Sequence, residues 1–306
     1  MGEYRGARMS YLTGIPKRVT VVEVGPRDGL QNEPQSVPTA AKIAFIEALA
    51  AAGLPFVEST SFVSPKAVPG MADAGEVMQG VTRRPSTRYP VLVPNERGFD
   101  RALGAGVDAI ALFTAASEAF CQANVRATID ETFARFAPIV DRARSAGLWL
   151  RGYVSVAIDC PYSGPVDPDF AAAVGERLFE LGCDEVALAD TIGTATPESV
   201  DRLLDAVGKR LPLDRVALHF HDTGGLALAN VMIGLDYGIT VYDAAAGGLG
   251  GCPFAPGAPG NLATERLLRL LEGLGIETGV DRAAVERAVA DLRQAVPGIG
   301  ERRQPC

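Results

Sequence analysis

The stretch "DEVALADTIGTATPESVDRLLDAVGKRLPLDRVALHFHD", residues 184–222, decides the fold. It opens on a short apolar run, 184–190, that reads as a buried strand. Residues 197–211 read as a helix, and the second apolar run, 214–222, as the next strand. Strands joined through a helix lie parallel, and near-continuous apolar runs fit strands covered on both faces. Outward from this unit the pattern recurs. Further strands are expected at 18–25, 55–60, 88–94, 107–114, 148–158 and 240–247. Helices are expected at 38–53, 95–106, 124–147, 167–182, 226–238 and 261–275. The 38–53 segment carries the usual punctuation, proline at its start and glycine at its end. Eight strand positions are the number that closes a (β/α)8 TIM barrel, which is favoured here over a doubly wound open sheet. The α/β fold is expected as a single catalytic domain over 1–306, with the barrel at about 18–275. A short C-terminal helix and tail follow at 276–306.

Size and composition agree. A chain of 306 residues, 47% hydrophobic and 22% charged, can bury a large core. A net charge of −8 and a pI near 5.0 give no sign of the basic patch that nucleic-acid binding needs. No apolar run approaches the roughly 18 residues of a membrane span, and residues 1–17 lack the apolar centre of a signal peptide. The five cysteines form no CxxC pair. An odd, unpatterned set fits a reduced, cytoplasmic setting better than a disulfide framework.

Barrel active sites lie at the C-terminal ends of the strands. Arg27 and Asp28 follow the first strand, Glu58 ends the second, and Asp190 ends the sixth. The seventh ends in "HFHD", with His219 and His221, the only histidines in the chain. Residues i and i+2 of a strand share a face, so the two imidazoles aim at one point and are natural metal ligands. Asp28 could add a carboxylate and Asn261 an amide oxygen. Each also has a plainer reading, as a turn residue before Gly29 and as an N-cap. With no thiolate pair, a closed zinc site is disfavoured, and Mg²⁺ or Mn²⁺ is the expected ion. The glycine-rich loop after the eighth strand carries Cys252, which reads either as an acid/base or as a free surface thiol. Cys160, after the fifth strand, is expected on the same rim.

Seven segments, among them "VEVGPRDGLQNE", "ESTSFVSPKAVPGM", "RGYVSVAIDCPYSG", "HFHDT" and "LGGCPFAPGAPGNLATE", together resemble the 3-hydroxy-3-methylglutaryl-CoA lyases, from about residue 18 to 280. "GGCP" is the most specific element. Condensing synthases of the same barrel group usually carry another motif there, with long C-terminal extensions. The resemblance implies metal-dependent cleavage of the acyl-CoA to acetyl-CoA and acetoacetate, as in leucine degradation and ketone-body formation. It implies Asp28, His219, His221 and Asn261 as metal ligands, Arg27 at the substrate carbonyl with Gln31 beside it, and Cys252 as the acid/base. Glu58 and Asp190 match supporting catalytic groups, and Glu265 a further acid behind them. A homo-oligomer, dimer or larger, is expected.

Four positions depart from the pattern. Pro34 stands where lysine is expected and Ala187 where serine is expected. Gly224 and Gly225 replace a bulkier pair. They are expected along the acyl pocket or the coenzyme channel, which leaves a relative such as citramalyl-CoA, or a condensing reaction, as alternatives. An amidohydrolase would place its HxH pair after the first strand and need more histidines. A non-catalytic barrel would not need an acid, imidazole and thiol set on its rim.

Overall fold

The computed structural model describes residues 14–250 and 260–300. The strands of its main sheet are β1 (Thr20–Glu23), β2 (Phe56–Val57), β3 (Thr60–Ser61), β4 (Val91–Leu92), β5 (Ala109–Ala115) and β6 (Trp149–Ser155), then β9 (Glu185–Asp190), β10 (Val216–Phe220) and β11 (Val241–Ala244). That sheet is entirely parallel, in the order β2-β1-β11-β10-β9-β6-β5-β4-β3. Nine segments fill eight barrel positions, because β2 and β3 are halves of one strand. Between them, the Glu58 amide donates to Glu23 O on one side (2.8 Å), and the Ser59 amide donates to Pro90 O on the other (2.9 Å). Those bonds close the ring into the expected TIM barrel.

The helices are α1 (Thr39–Ala51), α2 (Ala74–Gly80), α3 (Glu96–Gly104), α4 (Glu118–Val125), α5 (Ile129–Ser145), α6 (Pro168–Leu181), α7 (Pro197–Val207), α8 (Ala227–Asp236), α9 (Thr264–Leu274) and α10 (Arg282–Ala295). Local chemistry fixes their starts. Thr128 and Glu131 form a reciprocal capping box on α5. Proline occupies the first position of α6 and of α7. Three elements go beyond the sequence reading: α2, α4 and a small antiparallel hairpin of β7 (Asp159–Cys160) and β8 (Gly164–Pro165). No helix among the described residues is long and apolar enough to cross a membrane.

The apolar core has two parts. The larger lies between strands and helices. The smaller fills the barrel and includes Val22, Ala111, Ala187, Ala217 and Ala245. Alanines at the axis leave room for large polar side chains, and Arg151, Tyr153, Asp243 and Glu58 occupy that room, each at most 5% exposed. A packed interior that carries charge at this depth is unusual unless the charges are paired. Here they are, and the pairs lead upward to the barrel mouth.

Candidate active site

After β1 the segment Gly25–Gly29 makes one wide helical turn, in which the amides of Arg27, Asp28 and Gly29 all point at the Val24 carbonyl. The turn swings Arg27 and Asp28 over the mouth. It needs glycine at its ends. A Cβ on Gly25 would lie 2.6 Å from the Glu23 carboxylate, and one on Gly29 2.8 Å from Leu249 Cβ.

On β10 the alternation is visible in the packing. Val216, Leu218 and Phe220 join the outer core, Ala217 the inner one. His219 and His221 therefore point inward, both 6% exposed, with ring centres 5.3 Å apart. One ligand atom from each of Asp28, His219 and His221 lies within 4.8 Å of the other two. Asn261 pairs with His221 in an antiparallel bridge. Its Nδ2 donates to Asp28 Oδ2 (2.8 Å) and to Leu249 O (3.2 Å). Asn261 Oδ1 and His221 Nδ1 are buried and have no hydrogen-bond partner among the described residues. An orphaned buried polar atom costs about 1–3 kcal/mol, and a cation would supply the missing partner to both. Asp243 lies 3.1 Å from His219 Nδ1, which leaves Nε2 free for a ligand. This donor set fits a divalent metal ion.

The electrostatics follow from burial and neighbours. Burial would raise the Asp28 carboxyl, but Arg27 and the two imidazoles hold it down at about 2. Burial, and the charge of His219, lower His221 to about 4, so its ring is neutral and ready to ligate. Burial acts downward on His219 too, but its contact with Asp243 outweighs that and raises it.

Arg27 is fixed on both sides. Nη1 donates to Asp28 Oδ1 (2.7 Å), Nη2 meets Glu58 Oε2 (2.8 Å), and the guanidinium sits 5.6 Å from the centre of the Tyr153 ring. Burial raises the Glu58 carboxyl even against Arg27. Arg27, Asp28, Gln31, His219 and His221 share one cleft, whose opposite wall includes Leu92, Phe113 and Phe120. Tyr153, Ser155 and Thr191 also line it. Between them Val156 adopts a left-handed backbone (φ 49), rare for a β-branched residue. Its amide is held by Thr191 Oγ1 at 2.8 Å.

Three expected residues have other surroundings. Asp190 does not line the cleft. Its strand neighbours Val186 and Leu188 face outward, and so does its carboxylate, which accepts from the amides of Gly193, Thr194 and Ala195. Burial raises its carboxyl to about 6 despite those bonds. Glu265 accepts the Gly247 amide on both oxygens (2.9 and 3.0 Å), which pins the loop after β11. Cys160 is buried against Ser117 Oγ (3.0 Å) and does not line the cleft. Cys252 lies outside the described residues. Of the four departures, Pro34, Gly224 and Gly225 are exposed and Ala187 is sealed inside the barrel. None lines the cleft that holds Arg27, Asp28 and the two histidines. The sequence reading missed Arg151, Tyr153 and Asp243, although an acid and a guanidinium inside apolar strands were signals in plain view.

A family model described as HMGL-like matches residues 18–302. The chain belongs to that family. It is 50% identical over 281 residues to the mitochondrial hydroxymethylglutaryl-CoA lyase of Rattus norvegicus, covering 92% of this chain and 86% of that protein. The crystal structure of hydroxymethylglutaryl-CoA lyase from Pseudomonas aeruginosa superposes with a TM-score of 0.91 at 48% identity, over 93% of this chain and 95% of that one. An HMG-CoA lyase from Acinetobacter baumannii, solved in complex with coenzyme A and 3-methylmalate, gives 0.87 at 37% identity, over 95% and 98%.

Proposed function

We propose that this protein is a divalent-metal-dependent carbon–carbon lyase that cleaves 3-hydroxy-3-methylglutaryl-CoA to acetyl-CoA and acetoacetate. The observation that carries the reading is the meeting of Asp28, His219 and His221 within 4.8 Å in a cleft that Arg27 also lines. The reaction removes the 3-hydroxyl proton, breaks C2–C3, collects the electron pair on the thioester as an enolate and returns a proton to C2. Asp28, His219, His221 and Asn261 would hold the ion. When bound, it supplies Lewis acidity toward the substrate's oxygens. Arg27 stabilises the enolate oxygen with a charge that Glu58 and Asp28 hold in place. Gln31 contacts the substrate from the same wall. Cys252 supplies the proton for C2. Asp190 and Glu265 act as positioning residues, holding the loops after β9 and β11.

Mg²⁺ or Mn²⁺ suits the mixed oxygen and imidazole donors. The buried free thiols Cys121, Cys160 and Cys183 suit a reducing compartment such as the cytoplasm. The reading extends to leucine degradation, the route that consumes this acyl-CoA, and to a homo-oligomer. The test is acetyl-CoA release from purified protein across a panel of 3-hydroxyacyl-CoA thioesters, with and without EDTA. Metal-dependent release from 3-hydroxy-3-methylglutaryl-CoA is expected to be fastest. Faster release from citramalyl-CoA would reassign the substrate, and EDTA-insensitive release would remove the metal from the reaction.

A further inference from the structure

Arg151 is 1% exposed and sits inside the barrel below the cleft, among the largest fully buried side chains of the protein. Its guanidinium reaches three groups. Nη2 donates to Asp243 Oδ1 (2.6 Å) and Nη1 to Tyr153 Oη (3.0 Å). Nε lies 3.0 Å from Glu185 Oε1, close enough for charge pairing but without hydrogen-bond alignment. Two contacts lead upward. Asp243 meets His219 through its other oxygen (3.1 Å). Tyr153 donates to Glu58 Oε2 (3.3 Å), the same oxygen that grips Arg27 (2.8 Å). One planar, rigid fork thus reaches both sides of the cleft through one intermediary on the metal side and two on the other. Lysine, a flexible point charge, could not hold both arms in that geometry.

We infer that Arg151 is a positioning residue that sets the placement of the ion-binding imidazole His219 relative to the enolate-stabilising guanidinium of Arg27. The Asp243 arm fixes the ring plane of His219 and the nitrogen it offers. The Tyr153 arm fixes the carboxylate on which Arg27 rests. Removing Arg151 alone would strand the Asp243 and Glu185 carboxylates in the interior and lower stability whatever its role, so ion affinity and turnover, rather than stability, report the positioning.

The inference rests on the proposed roles of His219 and Arg27, and the experiment separates the two failures. Mn²⁺ binding to the full-length protein is measured by electron paramagnetic resonance, and kcat at saturating Mn²⁺ by acetyl-CoA release. Arg151→Met is expected to weaken Mn²⁺ binding by roughly 10–100-fold, the usual effect of disturbing the groups behind a metal-binding histidine, and to lower kcat as well. Tyr153→Phe, which cuts only the second arm, is expected to leave Mn²⁺ affinity near native while lowering kcat by at least about tenfold. If Arg151→Met does not fold, Arg151→Lys and Tyr153→Phe decide, since Lys keeps the charge without the fork and should lose part of both properties. Native Mn²⁺ affinity and native kcat in the Arg151 variant would overturn the inference. So would equal loss of Mn²⁺ affinity in Tyr153→Phe. A native protein that binds no Mn²⁺ would instead overturn the proposed metal site.

Discussion

Arg27→Gln tests chemistry and architecture together, and the structure allows the two to be pulled apart. Arg27 is 8% exposed and pairs with Asp28 and with Glu58, which is itself 1% exposed. Losing a preorganised donor to a developing oxyanion costs about 10²–10³-fold in kcat, about 2.7–4 kcal/mol. Here a full charge is lost, so the fall in kcat is expected at roughly 10³-fold or more. The second effect is on folding. Glu58 is left buried without its cation, a change that destabilises by about 3–5 kcal/mol when the orphaned charge persists. Arg27→Gln should therefore lower the melting temperature as well as turnover. The double variant Arg27→Gln/Glu58→Gln removes the stranded carboxylate. Because the two residues touch, the effects should not add: melting temperature should recover and kcat should not. Steady-state kinetics on 3-hydroxy-3-methylglutaryl-CoA and thermal unfolding of the four proteins of the cycle make the measurement. Recovery of kcat in the double variant would show that Arg27 acts only by keeping the fold. A raised KM at native kcat would show that it only grips substrate.

Other expectations follow from the same site. His221→Ala should lose most of its metal affinity and activity, and EDTA should inhibit the native protein until Mg²⁺ or Mn²⁺ is restored; unchanged metal content in the variant would remove His221 from the ligand set. Cys252→Ser should slow turnover by about 10²–10⁴-fold, the range for a general acid/base, with Mn²⁺ binding intact; near-native turnover would assign the proton to another group. Glu23 is buried and accepts from the amides of Gly25 and Ala246 and from Thr264 Oγ1. Burial lifts its carboxyl from 4.5 to about 8. Because the folded value is the higher one, the protonated acid's contribution to stability is full below about 4.5 and is lost as pH rises through 8, at about 1.4 kcal/mol for each pH unit crossed in between. Glu23→Gln keeps the acceptor and should flatten the thermal stability profile between pH 5 and 8; a profile as steep as the native one would place the titration elsewhere.

Much of this architecture is legible in the sequence, and the residues show why the rest is not. Seven apolar runs match single strands because parallel strands buried on both faces are written as continuous hydrophobic stretches. The same property hides which face a residue takes. Asp190 and His219 both end such runs, yet one points outward and the other into the barrel, and only the packing of Leu188 and Ala217 tells them apart. The paired histidines escape that ambiguity, because their spacing puts them on one face whatever the register. The helix α2 is hidden because "AGEVMQG" is seven residues long with glycine inside and at its end. Arg151 and Asp243 are hard to read for a different reason. Each looks like an interruption of its strand until the partner 92 positions away is brought beside it.

The two histidines of the cleft are the only ones in the molecule. In a ¹⁵N-labelled sample the imidazole region of the spectrum should therefore hold two spin systems and nothing else, each reporting from the ion site. Which nitrogen carries the proton on His219, held at Nδ1 by Asp243, can be read directly from its nitrogen shifts, before and after Mg²⁺ is added. The same scarcity sets a condition on preparation: a polyhistidine tag would bring several competing imidazoles to every native pair, so both the spectrum and the metal titration call for protein from which the tag has been removed.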